Sequence, residues 1–168
     1  MDATERLAQA LRRTGLTIAV AESCTGGLLA VRLTDLAGAS EYFRGGVVVY
    51  QNDVKIDLLD VPQPVLEAHG AVSEETVRVM ASGCRRLFSS DIGVAVTGVA
   101  GPGGGTREKP VGLVYIGIET PRSSECREYR WPGDRASNRA RSVDAAIASL
   151  VALTEAWPGS VENGRVLG

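Results

Sequence analysis

A serine followed closely by two glycines is the first group in the chain that could do chemistry. Residues 16–21 form a short apolar run that leads into the turn Glu-Ser-Cys-Thr-Gly-Gly at residues 22–27. Ser23 supplies a hydroxyl, and the amides of the two glycines can approach an anion closely because glycine has no side chain. The same pattern also fits capping of the next helix by Ser23 or Thr25. The residue types therefore allow either nucleophilic chemistry or a structural cap.

A serine nucleophile needs a base, and histidine is the usual one. The sequence contains one histidine, His69, which we expect to end a short helix. The turn also differs from the GxSxG pattern of hydrolases, because Ala21 and Thr25 occupy the two glycine positions. A conventional Ser-His-Asp triad is therefore not indicated.

Lys55 is the other candidate base. Only two of the 18 basic residues, Lys55 and Lys109, are lysine. Unlike arginine, a buried lysine can lose its proton, and its pKa of about 10.4 would have to fall to roughly 7.5 for work near neutral pH. Tyr50, at the end of the preceding strand, could relay a proton to the amine. It could equally be an aromatic residue at the rim of the site.

Two further features could bind an anion. Residues 98–105 read Gly-Val-Ala-Gly-Pro-Gly-Gly-Gly, but they lack the lysine of a Walker loop and no helix follows them. A flexible connection explains this segment as well as a phosphate loop does. Arg135 and Arg139 lie four residues apart on one face of the last predicted helix, where they could clamp a phosphate. Surface pairing with Asp134 is the alternative.

Apolar runs that alternate with amphipathic segments predict the elements that position these residues. We expect a single three-layer α/β/α domain at residues 1–157, with a mixed, mostly parallel sheet of about five strands, followed by a flexible tail at residues 158–168. Asn52 or Asp53 is expected to cap the third helix. The helices are predicted at residues 3–14, about ten residues from Leu28, 52–59, 73–88 and 134–157, and the strands at 16–21, 43–50, 91–97, 111–118 and 124–131, the last two as a hairpin.

Ligands of open α/β folds gather at the carboxyl ends of the strands. This rule selects three turns, at residues 23–27, 50–55 and 97–105. We therefore expect Ser23, Lys55 and the glycine-rich loop to meet at one edge of the sheet.

Composition limits the class of protein. The 168 residues carry a net charge of −2, which argues against nucleic-acid binding. No apolar run approaches the roughly 20 residues of a membrane helix, and no signal peptide is evident, so we expect a cytoplasmic protein. The three cysteines form no CxxC pair, which favours reduced thiols over disulfides or a zinc site.

Five sequence blocks together resemble a known family. They read AESCTGG, VVYQNDVK, HGAVSEE, VTGVAGPGGGTREKPVG and PGDRASNRAR. In order and spacing they are similar to the CinA C-terminal domain family, also called nicotinamide-nucleotide amidohydrolases, over about residues 5–155. The chain resembles the stand-alone form, without the molybdopterin-binding-like domain of longer members.

The resemblance implies deamidation of nicotinamide mononucleotide to nicotinic acid mononucleotide and ammonia, without a metal or organic cofactor. It implies that Ser23 is the nucleophile and that Tyr50 and Lys55 complete the catalytic site. It also implies a nucleotide pocket, and contact of the arginines with the phosphate is our own inference. The pocket residues are Thr25, Gly26, Gly27, Thr97, Gly98, Gly101, Arg135 and Arg139.

Other functions fit the same fold. A non-catalytic nucleotide-binding or partner-binding domain is the main alternative, because a shared fold does not guarantee turnover. A nucleic-acid-associated competence factor is suggested only by the family's name, and the pI of about 5.5 argues against it. Apolar sheet edges are compatible with a dimer.

Overall fold

A computed structural model describes residues 1–158 as a five-stranded sheet between two layers of helices. Of the predicted tail, residues 158–168, only Pro158 lies within the described residues. The helices are α1 (Ala3–Thr14), α2 (Leu28–Thr34), α3 (Asn52–Leu59), α4 (Gln63–His69), α5 (Glu74–Phe88) and α6 (Arg135–Glu155), the strands are β1 (Ile18–Glu22), β2 (Phe43–Val48), β3 (Ile92–Gly98), β4 (Leu113–Glu119) and β5 (Ser124–Arg130), and a short 3₁₀ helix covers Ala39–Glu41.

The sheet has the strand order β2-β1-β3-β4-β5. β1 pairs in parallel with both β2 and β3, whereas β4 pairs antiparallel with β3 and with β5. All strands except β4 therefore run in the same direction. The mixed, mostly parallel sheet is confirmed, and so is the β4–β5 hairpin, whose short connection permits only antiparallel pairing.

Alternation along β1 divides the core into two layers. Ile18 and Val20 pack with α1, α2 and α6 on one face of the sheet, whereas Ala19 and Ala21 pack with α5 on the other. Successive strand side chains point to opposite faces, so a strand that is covered on both sides must be apolar throughout. The three-layer architecture that the two-faced apolar strands predict is confirmed.

Small residues bring α5 unusually close to the sheet. A Cβ on Gly93 would lie 2.2 Å from the Ala81 carbonyl oxygen, and one on Gly117 would lie 2.8 Å from the Val77 carbonyl oxygen. Both distances are too short for a side chain, so any larger residue would push the helix away. The close packing of α5 on the sheet therefore depends on glycine at these two strand positions.

Most predicted helix boundaries agree with the structure, but the start of α3 differs in one detail. The helix begins at Asn52, yet Gln51 is its N-cap and makes no side-chain capping bond. Asp53 lies inside the first turn, where its carboxylate accepts a hydrogen bond from the Val54 N–H at 2.9 Å. The prediction of an Asn52 or Asp53 cap is therefore wrong. The second helix is also shorter than predicted, because it ends at Thr34.

Within residues 1–158, no helix is both long enough and apolar enough to cross a lipid bilayer.

Candidate active site

The carboxyl ends of β1, β2 and β3 meet at one edge of the sheet, with β1 in the middle. Ser23 directly follows β1, and its N–H donates to the Val96 carbonyl at 2.9 Å. The Val49 N–H, beyond the end of β2, donates to the Glu22 carbonyl at 2.8 Å. These bonds place the Ser23 turn between its two neighbouring strands. The strand order changes direction at β1, which is where open α/β sheets leave a crevice.

Lys55 lies beside Ser23 in the protein interior, at the carboxyl ends of β1, β2 and β3. We call this region the corner. Its Nζ lies 3.4 Å from Ser23 Oγ and donates to the Tyr50 carbonyl oxygen at 2.8 Å. The lysine is 1% exposed and the serine 8%. Among residues 1–158, no carboxylate forms an ion pair with this lysine. The structure thus brings the predicted nucleophile and the predicted base into contact.

Burial shifts the pKa of Lys55 and of the thiol of Cys24, the residue next to Ser23. It lowers the pKa of the Lys55 ammonium from its usual 10.5, and the neighbouring Cys24 acts in the opposite direction. Burial also raises the pKa of the Cys24 thiol to about 11. The thiol therefore stays protonated at neutral pH, while the amine is shifted toward its neutral form. This pattern favours Ser23 over Cys24 as the nucleophile.

Tyr50 occupies a different position from the one a proton relay needs. It is 52% exposed, and its hydroxyl accepts a hydrogen bond from Arg135 Nη2 at 3.1 Å. The contact of Tyr50 with Lys55 is made by its backbone carbonyl. The geometry therefore favours direct proton transfer from Ser23 to Lys55, with the Tyr50 ring at the rim.

Glu22 is a buried acid that the sequence analysis did not single out. It is 1% exposed and lies immediately before Ser23. Its carboxylate accepts three backbone N–H groups, from Gly27 at 3.2 Å, Leu29 at 3.0 Å and Ala30 at 2.8 Å. Glu22 therefore caps α2, although it lies five residues before the N-cap residue Gly27. Gly27 has no side chain and cannot cap the helix itself.

This cap changes the interpretation of the Ser23 turn. Neither Ser23 nor Thr25 caps α2, so the structural alternative for these hydroxyls is wrong. The Gly26 N–H donates to the Ser23 carbonyl at 3.1 Å, and the Gly27 N–H is held by Glu22. Binding of a substrate anion by these two amides stays a prediction, and it would require both bonds to break.

Arg139 also binds the turn. Its Nε donates to the Cys24 carbonyl and its Nη2 to the Thr25 carbonyl, each at 3.1 Å. The side chain is half-buried. Two of its donors are thus engaged by the protein, which differs from the open phosphate clamp that we expected.

Arg135 lies at the rim and joins two of its parts. It donates from Nη1 to the Gly101 carbonyl at 2.9 Å and from Nη2 to the Tyr50 hydroxyl. Asp134 instead caps α6, accepting the Ser137 N–H at 2.8 Å. The alternative of an Arg135–Asp134 surface pair is therefore not what the structure shows.

The glycine-rich loop is tied to the same corner. The Thr97 hydroxyl donates to the Ala71 carbonyl at 2.8 Å, and a Cβ on Gly98 would lie 2.7 Å from the Leu113 carbonyl oxygen. Asn138, fully buried on α6, donates to the Ala100 carbonyl at 3.0 Å. Residues 97–101 are therefore held next to the Ser23 turn, as predicted. The anchoring by Asn138 was not predicted.

His69 and Lys109, the histidine and the second lysine of the sequence, contact each other and not the Ser23 turn. His69 Nδ1 is 3.5 Å from Glu75 Oε1, and the Lys109 ammonium donates to the His69 carbonyl. Neither residue contacts Ser23 or Lys55. In the part of the chain that the structure describes, no group of three or more acidic, histidine or cysteine side chains could hold a metal ion.

Comparison with known proteins agrees with the resemblance of the five blocks. The sequence profile of the CinA C-terminal domain matches residues 1–154. The chain belongs to the CinA C-terminal domain family.

A putative competence-damage inducible protein of Desulforudis audaxviator is 52% identical over 137 residues, which is 82% of this chain and 33% of that protein. A CinA-like protein of Citrifermentans bemidjiense is 50% identical over 86% of this chain and 34% of its own. The chain thus spans about a third of the length of these CinA relatives.

Solved structures of CinA proteins have the same fold as this chain. A CinA superfamily protein from Klebsiella pneumoniae has a TM-score of 0.88 and 34% sequence identity, over 94% of this chain and 100% of that one. The competence/damage inducible protein CihA from Agrobacterium tumefaciens has a TM-score of 0.85 and 41% identity, over 91% of this chain and 96% of its own.

Proposed function

We propose that this CinA domain is an amidohydrolase that deamidates nicotinamide mononucleotide to nicotinic acid mononucleotide and ammonia. One observation carries the proposal. The Lys55 amine, 1% exposed and without a carboxylate partner among residues 1–158, lies 3.4 Å from the Ser23 hydroxyl. A buried amine next to a hydroxyl is the pairing that activates serine when no histidine is available.

The first step forms an acyl-enzyme. Neutral Lys55 accepts the proton of Ser23 as Oγ attacks the carboxamide carbon, and the carbonyl oxygen takes the negative charge of the tetrahedral intermediate. Backbone N–H groups of the turn stabilise that charge. The Lys55 ammonium then returns the proton to the departing nitrogen, the C–N bond breaks, and ammonia leaves.

The second step restores the enzyme. Water replaces ammonia, Lys55 accepts a proton from it, and the hydroxide attacks the ester carbon. The Ser23 oxygen leaves and takes the proton back from Lys55. The balance is one carboxamide and one water converted into one carboxylic acid and one ammonia, with no change of oxidation state.

The rim supplies recognition of the nucleotide in this proposal. The nucleotide lies between two segments in this proposal, the turn with Thr25, Gly26 and Gly27 and the segment with Thr97, Gly98 and Gly101, and the rim above them makes the outer contacts. The half-exposed Tyr50 ring offers an aromatic surface beside the pyridine ring. Arg135 is the exposed cation for the 5′-phosphate, because two of its N–H groups are engaged and the others remain free to donate.

The test is ammonia release from nicotinamide mononucleotide by purified protein, with nicotinic acid mononucleotide identified as the second product. We expect turnover by the wild type and its loss in Ser23→Ala. Ser149→Ala is the matched control, because Ser149 is buried on α6 and its hydroxyl bonds the Ala145 carbonyl instead. Binding of the nucleotide without any ammonia would favour the non-catalytic alternative and contradict the proposal.

A second measurement tests the phosphate. Nicotinamide riboside lacks the 5′-phosphate, so we expect its kcat/KM to be lower by about tenfold or more, since a charged hydrogen bond contributes about 1.5–3 kcal/mol. Equal kcat/KM values for the two compounds would remove the anion-binding part of the proposal.

Two other expectations stay predictions. We propose a cytoplasmic location, on the free thiols of all three cysteines, and a dimer that forms through the β2 edge of the sheet, because the other edge strand, β5, is largely exposed and charged. β2 lies at one edge of the sheet and exposes Val48. Sedimentation of the purified protein tests the dimer.

A further inference from the structure

The turn after Ser23 has an unusual distribution of hydrogen bonds. The Ser23 carbonyl accepts the Gly26 N–H, and the next two carbonyls, of Cys24 and Thr25, accept the Arg139 guanidinium. Among residues 1–158, no other residue accepts a hydrogen bond from the N–H of Cys24 or of Thr25, although the Cys24 N–H lies near its own thiol. All three carbonyls thus accept hydrogen bonds, whereas the two consecutive N–H groups of Cys24 and Thr25 bond no other residue.

Planarity of the peptide bond links these two facts. In a trans peptide the C=O and the N–H point in opposite directions. By bonding the Cys24 carbonyl, Arg139 turns the N–H of Thr25 to the other side. The Thr25 carbonyl accepts the Leu28 N–H at 3.1 Å as well as Arg139, so both donors hold the Gly26 N–H on the Ser23 carbonyl. The Ser23–Gly26 bond in turn directs the N–H of Cys24 away from Gly26.

We propose that Arg139 is a positioning residue, which holds the Cys24 and Thr25 amides toward the oxygen of the reacting carboxamide. The inference rests on the proposed function and adds the origin of its oxyanion site. Two adjacent backbone donors fixed before the reaction suit the charge that develops on that oxygen. Arg139 itself stays behind the turn and touches the carbonyls only.

The chain is adapted to this contact in two ways. Arginine presents Nε and Nη2 along one edge of a planar group, so it can bond two neighbouring carbonyls at once, which a lysine ammonium cannot do with the same geometry. Gly26 has a φ of +58°, and a Cβ there would lie 3.1 Å from Arg139 Nη2. Glycine therefore permits both the left-handed backbone and the close approach of the guanidinium.

The experiment compares Arg139→Lys with Arg141→Lys. Arg141 lies on the same helix, is exposed and donates to Ser137 Oγ, so the control makes the same chemical change away from the turn. We expect Arg139→Lys to lower kcat for nicotinamide mononucleotide by about 100-fold, as loss of an oriented oxyanion donor does, with little change in KM. Arg141→Lys should match the wild type.

A second readout does not depend on the substrate. The Oγ of an activated serine attacks the phosphorus of a fluorophosphonate probe and displaces fluoride, and the negative charge on the phosphoryl oxygen needs the same donors. We expect slower labelling of Ser23 in Arg139→Lys by a similar factor, and recovery of labelling in Arg139→Ala on addition of guanidinium ion but not of sodium chloride at equal ionic strength.

The outcomes separate the two proposals. Labelling of Ser23 without ammonia release in the wild type would contradict the proposed substrate, and the labelling rates alone would then decide the role of Arg139. Equal kcat and equal labelling in the two lysine variants would overturn that role. So would a loss that matches the fraction of unfolded protein and is not rescued by guanidinium. A wild type whose Ser23 does not label would overturn both proposals.

Discussion

The Ser23 turn and the rim above it are built in opposite ways. In the turn, Glu22 accepts three backbone N–H groups and Arg139 donates to two carbonyls, all within the protein. At the rim, Tyr50 and Arg135 are exposed, and so is every residue from 102 to 108, which covers the end of the glycine-rich loop and the three residues after it. The turn is held by contacts from strand, helix and side chain, whereas the rim is held by a few hydrogen bonds at the surface.

The difference matches two physical requirements. A reacting oxygen and its base must be held within a fraction of an ångström, and the fixed contacts that do so also keep out the water that would stabilise the lysine charge. Recognition of a substrate needs groups that solvent can reach before the substrate arrives. We therefore expect substitutions in the turn to lower kcat or stability, and substitutions at the rim to act mainly on binding.

Lys55→Arg is expected to have the largest effect, a loss of about 10³-fold in kcat, as removal of a general base typically causes. Arginine keeps the positive charge but cannot lose its proton. The measurement is ammonia release from nicotinamide mononucleotide. Lys109→Arg is the control, because it makes the same change at a lysine that contacts His69 instead. Turnover of Lys55→Arg at the rate of that control would exclude the lysine as the base.

The pH dependence should report the same amine. Because burial lowers the pKa of Lys55, kcat/KM should rise with pH, about tenfold per unit below that pKa, and level off above it. The unfolded chain holds this proton more tightly, so the energetic cost of the buried ammonium is largest below the lowered pKa and disappears as the pH approaches 10.5.

Lys55→Met tests the stability half of this expectation by urea unfolding at several pH values. Its free energy of unfolding should exceed that of the wild type most at low pH, and the difference should shrink as the pH rises. A difference that does not change with pH would mean that the folded and unfolded chains bind the Lys55 proton equally.

Glu22→Gln should destabilise the fold by about 2 kcal/mol, because a carboxamide NH₂ would face a backbone N–H in place of an acceptor oxygen. Urea unfolding measures the effect. Glu155→Gln, at an exposed pair with Arg6, should cost less than about 1 kcal/mol. Equal losses would mean that the cap on α2 contributes no more than a surface ion pair.

Tyr50→Phe should have the smallest effect on kcat, since the phenol bonds Arg135 and does not contact the Ser23 hydroxyl. It keeps the aromatic ring and removes the OH, and Tyr50→Leu removes both. We expect the leucine variant to raise KM more than the phenylalanine variant. A fall in kcat in Tyr50→Phe as large as that in Lys55→Arg would instead establish the proton relay.

The sequence predicted the elements and the corner where they meet, but not all of the site's contacts. The apolar residues of β1 and the spacing of α5 are local patterns, so they could be read directly. The partners of Arg139 could not, because Cys24 lies 115 residues away in the chain. The role of Glu22 could not be predicted either, although an acidic residue at the end of an otherwise apolar strand is a signal that could have indicated it.

Residue type by itself determined that this chain has a serine on a glycine turn, one lysine near enough in the predicted fold to serve it, and the sequence blocks of a CinA domain. Only the tertiary structure decided that Lys55 is excluded from solvent, that the Glu22 carboxylate caps α2, and that Arg139 donates to the carbonyls of Cys24 and Thr25. The reason is that a pattern along the chain encodes helices and strands, whereas solvent exclusion and the choice among competing hydrogen-bond partners arise only when distant segments pack together.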